Sequence, residues 1–460
     1  MNDSPNAGSA KRYTLIVIGA IVAVVLIGFS WIVAFAPHPT DFAGGTRVAL
    51  TQYHGEDPTG VPAELKGASL IERGQYLARA ADCAACHTAE AGEPFAGGVA
   101  FVLPFGTLYS TNITPDKETG IGNYSDADFL NAVHRGIAPG NEKLYPAMPF
   151  TSYTYMTDAD VSAIKAYLFS LKPVHAPDRE NSLSFPFNQR SLMGIWAVLF
   201  NQDRRFEPLT GRDPQWNRGA YLVEAMEHCG ECHTPRNLLQ ALDQRRKFAG
   251  TVQAGWRAYN ITSDSKSGIG AWSEADLAHY LSMGHADGRG TAAGPMGEAF
   301  NNSLRYLTQS DVTAMVAYLR SVPGMSTADL PEPKAGPAPS SFTEGVAANV
   351  DSGGKAVYAG ACAGCHDWTG VSPVIPYATL TGVRSVNDPT AINVVQVILS
   401  GAHLQTSDSR TAMPAFGSAY SDAEIASLAN YVTARFGAQP SAVTAENIAA
   451  LRAQDRSQPD

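Results

Sequence analysis

Outside three pentapeptides the chain has no cysteine. All six cysteines of its 460 residues fall into Cys83-Ala84-Ala85-Cys86-His87, Cys229-Gly230-Glu231-Cys232-His233 and Cys362-Ala363-Gly364-Cys365-His366, so none remains for a structural disulfide. Charge is also scarce. Charged residues are 17% of the chain, and a formal net charge of −10 argues against nucleic acid as a partner. There is no Gly-rich phosphate loop, no nucleophile elbow and no zincin helix, so the usual substrate-transforming signatures are missing. Long apolar runs are missing too, apart from Tyr13 to Ala36.

What is present is C-x-x-C-H, three times over. Bare C-x-x-C also serves zinc and dithiol chemistry, but neither requires a His directly after every second Cys. The pattern is the attachment signature of a c-type haem. The two thiols add across the porphyrin vinyl groups, and the adjacent His lies under the iron. The cofactor expected is therefore three covalently bound haem c groups, held by Cys83 and Cys86, Cys229 and Cys232, and Cys362 and Cys365. His87, His233 and His366 are the proximal ligands.

A chain of this length is too long for one core. The motif intervals of 146 and 133 residues suggest three units in tandem. The run Tyr13–Ala36 has 24 residues, no charge, and Lys11 and Arg12 before it. As a helix it would extend about 36 Å, enough for a ~30 Å hydrocarbon layer. A cleaved leader competes, since Ala34-Phe35-Ala36 has a small-x-small form, but the run exceeds the usual leader core and Pro37 follows it. The expectation is a retained anchor with the amino terminus cytoplasmic. That places the haem units on the periplasmic side of a bacterial cytoplasmic membrane.

The expected fold is mainly α: three tandem class I-like cytochrome c domains behind an N-terminal transmembrane helix. The boundaries are a cytoplasmic terminus 1–12, an anchor 13–36, a tether 37–68, domains at 69–172, 215–323 and 353–437, linkers 173–214 and 324–352, and a tail 438–460. Each domain opens on a helix carrying an aromatic just before the motif, Tyr76, Tyr221 or Tyr358, for which plain core packing is the expected role. Domains one and two share Asn112-Ile113-Thr114 and Asn260-Ile261-Thr262, followed by the capped helix starts Ser125-x-x-Asp128 and Ser273-x-x-Asp276. The third domain lacks that segment and has a helix-like Thr390–Leu399 instead. All three close on a second capped helix, from Thr157, Thr308 and Ser421, with Tyr167, Tyr318 and Tyr431 ten residues after the cap.

The sixth iron ligand is read from a constant offset. Gly136, Gly284 and Gly401 are each followed twelve residues later by a Met beside a Pro: Met148, Met296 and Met413. Thioether ligation opposite His raises a haem potential, as electron carriers require. Histidine is the rival, but His134, His285 and His403 sit at −2, +1 and +2 from those glycines and do not superpose. With His175, His228 and His279 they are taken as surface or loop histidines. In the first linker, Leu192–Phe200 is apolar but too short to span a bilayer. It would lie on a membrane surface, dock on a partner, or pack between domains one and two. The second linker, rich in Pro, Ala, Ser and Gly, reads as flexible or extended.

The three motifs, the Asn-Ile-Thr segments, Tyr145-Pro146-Ala147-Met148-Pro149-Phe150, Phe185-Pro186-Phe187-Asn188-Gln189-Arg190, Ala293-Gly294-Pro295-Met296 and Met413-Pro414 together resemble the three-haem cytochrome c subunits of bacterial membrane-bound, periplasm-facing dehydrogenases. The resemblance covers roughly residues 70–437. It implies a separate catalytic subunit of the molybdopterin, PQQ or FAD type, in some relatives with an iron–sulfur subunit, and ubiquinone as electron acceptor. The retained anchor and Gly370-Val371-Ser372-Pro373-Val374-Ile375-Pro376-Tyr377 look most like the molybdenum aldehyde-dehydrogenase type. Quinoprotein alcohol dehydrogenases and flavoprotein gluconate or fructose dehydrogenases are the alternatives. A stand-alone anchored carrier to a terminal oxidase, and a haem enzyme with an open iron site, belong to other function classes. No substrate-oxidising site of the chain's own is expected.

Overall fold

Three helix pairs carry the architecture, and the sequence shows why each begins where it does. A computed structural model describes residues 13, 15–17, 19, 37–340, 352–406 and 409–456. The opening helices are Leu70–Ala80, Pro214–Tyr221 and Ser352–Val357. They pack on the closing helices Asp158–Ser170, Gln309–Ser321 and Asp422–Phe436 respectively. Thr157, Thr308 and Ser421 cap the closing helices through side-chain oxygens that accept from the backbone three residues on, satisfying donors that have no intrahelical partner. Between the members of the first two pairs lie Asp126–Arg135 and Glu274–Met283, each started by a Ser capping box and stopped by a left-handed glycine, Gly136 or Gly284. In the third unit Ile392–Ser400 takes this place. The sheets described are small and antiparallel. The largest joins Ala100–Leu103, Gly106–Tyr109 and, from the first linker, Ser182–Leu183.

The apolar interior does not divide evenly. One core runs through units one and two, from Leu77, Val161 and Leu168 to Tyr221, Met315 and Tyr318. The third unit has a separate core built on Tyr358, Val395, Ile425, Leu428 and Phe436. Each such aliphatic side chain contributes about 1.5–3 kcal/mol on full burial.

Units one and two are also joined by a reciprocal exchange of polar bonds. Tyr76 of the first opening helix donates to Asp311 Oδ2 on the second closing helix at 2.6 Å. Tyr221 of the second opening helix donates to Asp160 on the first closing helix. Arg218 completes the first contact, its Nε and Nη2 lying 2.8 and 2.7 Å from the two Asp311 oxygens. The expectation that these tyrosines serve core packing alone is therefore corrected for Tyr76 and Tyr221. Buried phenols need acceptors, and each finds a carboxylate in the other unit. Tyr358 bonds within its own unit, to the Asp367 carbonyl at 2.6 Å.

The N-terminal expectation is corrected as well. Among the described residues no helix is long and apolar enough to cross a membrane. Of the run Tyr13–Ala36, only Tyr13, Leu15, Ile16, Val17 and Gly19 are described, all helical. The rest lies outside the described residues. The described fold is thus three helical units with small sheets and no transmembrane helix, and the placement by a single N-terminal span is withdrawn with it.

The first linker contains the helix Arg190–Phe200. Trp196 packs edge-on to Phe150 and donates its indole N–H to the Leu239 carbonyl at 2.7 Å, bridging units one and two. Ile195 and Val198 remain 60% and 57% exposed on its outer face, so packing between units accounts for only one side of this helix. Of the second linker, residues 324–340 carry no helix and are tied down. Lys334 N–H donates to Asn387 Oδ1 at 2.9 Å and Ala338 N–H to the Thr369 carbonyl at 2.8 Å.

Candidate haem centres

Each motif is a single helical turn delivered by a distortion in the chain. Asp82 and His228, directly before the first and second motifs, adopt positive φ of 49° and 38°. In the third, Asp367 directly after His366 has φ 57°. The second and third opening helices widen into π turns, Leu222–Met226 before the motif and Tyr358–Cys362 ending on the motif's first cysteine. Such insertions are costly in a plain helix and recur at functional sites.

The three motif histidines share one arrangement. His87 Nδ1 lies 2.7 Å from the Thr111 carbonyl, His233 Nδ1 2.6 Å from the Tyr259 carbonyl, and His366 Nδ1 2.6 Å from the Ala378 carbonyl. A carbonyl can only accept, so Nδ1 carries the proton and Nε2 the lone pair. That is the tautomer and ring orientation of a metal-bound imidazole with its outer partner in place. Burial lowers the pKa of all three, favouring the neutral ring.

These carbonyl partners were not singled out in the sequence, although a signal was there. Thr111 and Tyr259 directly precede the repeated Asn-Ile-Thr segments. Asn112 Oδ1 accepts from Thr114 N–H and Oγ1 at 2.9 and 2.7 Å, and Asn260 Oδ1 from Thr262 at 2.8 and 2.7 Å. These turns hold the carbonyl of the residue before Asn against the imidazole.

The cysteines fit thioether attachment better than thiolate chemistry. All six are unpaired as disulfides. Burial pushes the thiols of Cys83 and Cys86 up to about 12 and those of Cys232 and Cys362 up to about 11, with Cys229 also raised. A zinc or redox thiolate needs the opposite shift, whereas a neutral thioether tolerates burial. Among the described residues no group of three or more His, Cys, Asp or Glu side chains could hold a metal ion. The donor set therefore suits a porphyrin held by its edge and capped by imidazole.

The constant glycine-to-methionine offset has a structural counterpart in a short hairpin. It is formed by Ile137–Ala138 with Glu142–Lys143, His285–Ala286 with Gly290–Thr291, and Ala402–Gln405 with Arg410–Met413. The methionines leave these hairpins differently. Met148 lies in a turn before the short helix Phe150–Tyr153, Met296 in the first turn of Pro295–Asn302, and Met413 at a strand end opposite Ala402. Met148 and Met296, with Cys83 and Cys229, pack on the shared core, while Met413 and Cys362 belong to the third unit's core.

The first two centres also interlock. The helix of Met296 packs on the first motif turn, and Glu231 inside the second motif accepts from Thr151 and Ser152, just past Met148, at 3.2 and 3.1 Å. Two of the histidines read as surface or loop residues are instead buried, one in a helix and one in a hairpin strand. His134 has Nδ1 3.1 Å from the Tyr153 carbonyl, and His285 lies 2.8 Å from Thr291 Oγ1. Hydrogen-bond partners around the hairpin offset the cost of burying these rings.

Repeated motif turns, carbonyl-fixed imidazoles and helix pairs around them define a c-type cytochrome, a class that holds haem c covalently. Residues 71–172 match the family model described as cytochrome c, and residues 349–432 that described as cytochrome C oxidase, cbb3-type, subunit III. The chain is 41% identical to the fructose dehydrogenase cytochrome subunit of Gluconobacter japonicus, over 85% of this chain and 84% of that one. It is 37% identical to the gluconate 2-dehydrogenase cytochrome c subunit of Pantoea cypripedii, over 84% and 90%. It is also 41% identical to a nicotinate dehydrogenase polypeptide of Pseudomonas putida, over 85% of this chain but 32% of that longer protein. The chain belongs to the family of cytochrome c subunits of dehydrogenases, and it is an electron-transfer subunit.

Proposed function

We propose that the chain carries three haem c groups, one in each of the units 69–172, 215–323 and 353–437, and passes electrons from a dehydrogenase catalytic subunit to ubiquinone. The reading rests on one repeated observation: three motif histidines, each with Nδ1 held at 2.6–2.7 Å by a main-chain carbonyl. Haem c supplies a one-electron ferric/ferrous couple. The residues around it set its potential and keep its geometry constant as the charge changes. Cys83, Cys86, Cys229, Cys232, Cys362 and Cys365 fix the porphyrin edges. His87, His233 and His366 would hold the irons through imidazole, and Met148, Met296 and Met413 through thioether. A thioether stabilises the ferrous state, and apolar surroundings act in the same direction. With an imidazole and a thioether on each iron, none would be open to oxygen or peroxide.

The fructose, gluconate and nicotinate names of the relatives span three different substrates, so similarity of the cytochrome does not select the catalytic partner. Gly370–Tyr377 favours a molybdenum-type aldehyde dehydrogenase with a small iron–sulfur subunit, and flavoprotein and quinoprotein partners are the alternatives. Co-purification from the native host, with the associated subunits identified and dye-linked activity tested on acetaldehyde, ethanol, gluconate and fructose, decides among them. A pyridine haemochrome assay should return three haems per chain. Fewer than three, or a high-spin haem, overturns the three-carrier reading.

A further inference from the structure

The second centre differs from the other two in what stands behind its proximal imidazole. The carbonyl facing His233 belongs to Tyr259, whose hydroxyl reaches into the third unit and donates to Asp388 Oδ2 at 3.2 Å. Asp388 is 0% exposed. Its carboxylate also receives Arg257 Nη1 at 3.2 and 3.4 Å, and the Thr390 N–H and Oγ1 at 2.9 and 2.7 Å. Arg257 is shared with Asp329 at 2.8 Å, and its main chain is clamped by Asn393, which accepts from Arg257 N–H at 2.8 Å and donates to its carbonyl at 2.9 Å. In the first centre the carbonyl belongs to Thr111 and in the third to Ala378, neither of which carries a phenol.

Resting on the three-haem reading above, we propose that Asp388 and Tyr259 are positioning residues through which the seating of the third unit sets the reduction potential of the second haem. Two effects act together. The phenol bond fixes where the Tyr259 main chain holds His233, and the buried carboxylate places a negative charge behind that imidazole. A buried anion favours the ferric state; Arg257, which is shared with Asp329, and Arg384, which also faces Asp388 and Tyr259, offset it in part.

The test is a spectroelectrochemical titration of the full-length, three-haem chain. Asp388→Asn should raise one of the three midpoint potentials, changing that haem's oxidised-to-reduced ratio about tenfold at fixed potential, or about 59 mV for a one-electron couple. Tyr259→Phe keeps the ring and should move the same step by a smaller, roughly threefold ratio. Asp388→Glu should restore most of the wild-type value. A chain with Cys229 and Cys232 both replaced by Ala should carry two haems, and the step it lacks identifies the second haem. Unchanged potentials in both Asp388→Asn and Tyr259→Phe, an equal shift of all three, or a shift confined to another haem overturns the proposal. Equal shifts in Asp388→Asn and Asp388→Glu overturn its charge component. A haem count below three in the wild-type chain overturns the underlying reading instead.

Discussion

Gly74 faces the Ala163 carbonyl so closely that a Cβ on Gly74 would lie 2.0 Å from that oxygen. The relationship is repeated by Gly219 with Ala314, at 1.9 Å, and by Gly354 with Ser427, at 2.1 Å. In each pair the same glycine also lies against the Cβ of the aromatic ten residues past the closing cap, Tyr167, Tyr318 or Tyr431. The three glycines let two helix backbones touch. That contact fixes each opening helix, which leads into the motif turn, on its closing helix.

Gly74→Ala is therefore expected to destabilise the first unit, although alanine is the better helix former by about 1 kcal/mol. The added methyl meets backbone rather than a flexible side chain, and overpacking of this kind costs about 1–3 kcal/mol. Denaturant unfolding should show a net loss, and Gly219→Ala and Gly354→Ala should behave alike. A stabilised Gly74→Ala protein would show that the helices separate freely.

The reciprocal bonds between units one and two should behave as a coupled pair. Tyr76→Phe removes two bonds, the one donated to Asp311 and the one its hydroxyl accepts from Thr308 N–H at 3.2 Å, while Arg218 still pairs with Asp311, a loss of about 1–3 kcal/mol. Asp311→Ala leaves Arg218 buried without its carboxylate and should cost about 3–5 kcal/mol. Because each contact helps to hold the other in place, thermal melts should also show a smaller effect for Tyr76→Phe combined with Tyr221→Phe than the two single losses added. Strict additivity would mean that each contact holds independently of the other.

Much of this was legible in the sequence wherever the signal is local. The caps at Ser125, Thr157, Ser273, Thr308 and Ser421 all accept the bond expected of them, because a cap needs only a hydroxyl and the next three residues. The twelve-residue offset to methionine has its hairpin. What escaped the reading depends on partners far along the chain. Tyr76 is 235 residues from Asp311, and nothing in the helical periodicity around Tyr76 tells a phenol bonded across units from one packed in a core. The local sequence around Gly74 does not show why a glycine is needed there, since its reason lies in another helix. The apolar run Tyr13–Ala36 suggested a membrane span by composition alone, and no described helix has the length to provide one.

Glu227 gives a pH dependence with a definite sign. It is 7% exposed, bonded by Ser303 Oγ at 2.6 Å, and burial raises its pKa from 4.5 to about 8. The folded state therefore holds a proton that the unfolded state releases between those two values. Its contribution is fully present below pH 4.5 and is lost as pH rises through about 8. Stability should fall over that window, and Glu227→Gln, which cannot ionise, should flatten the slope. Unfolding measured from pH 5 to 9 reads this directly. A slope unchanged in Glu227→Gln would assign the effect to other groups.

Met413 is the sharpest point at which to test the axial set. It ends the strand Arg410–Met413 opposite Ala402, and Gly401 at the head of that hairpin leaves room for its carbonyl: a Cβ there would lie 2.6 Å from the Met413 oxygen. The hairpin thus fixes the Met413 backbone while the side chain packs on the third unit's core. Met413→Ala should leave the haem count at three, because attachment depends on Cys362 and Cys365. It should also convert one low-spin haem of the three to a high-spin or newly ligated form and lower that haem's potential, since the thioether that favours the ferrous iron is gone. Met413→His should restore the low-spin spectrum at a lower potential than wild type. Absorption and magnetic resonance spectra identical to wild type in Met413→Ala would remove Met413 from the ligand set and return the sixth position of the third centre to a histidine.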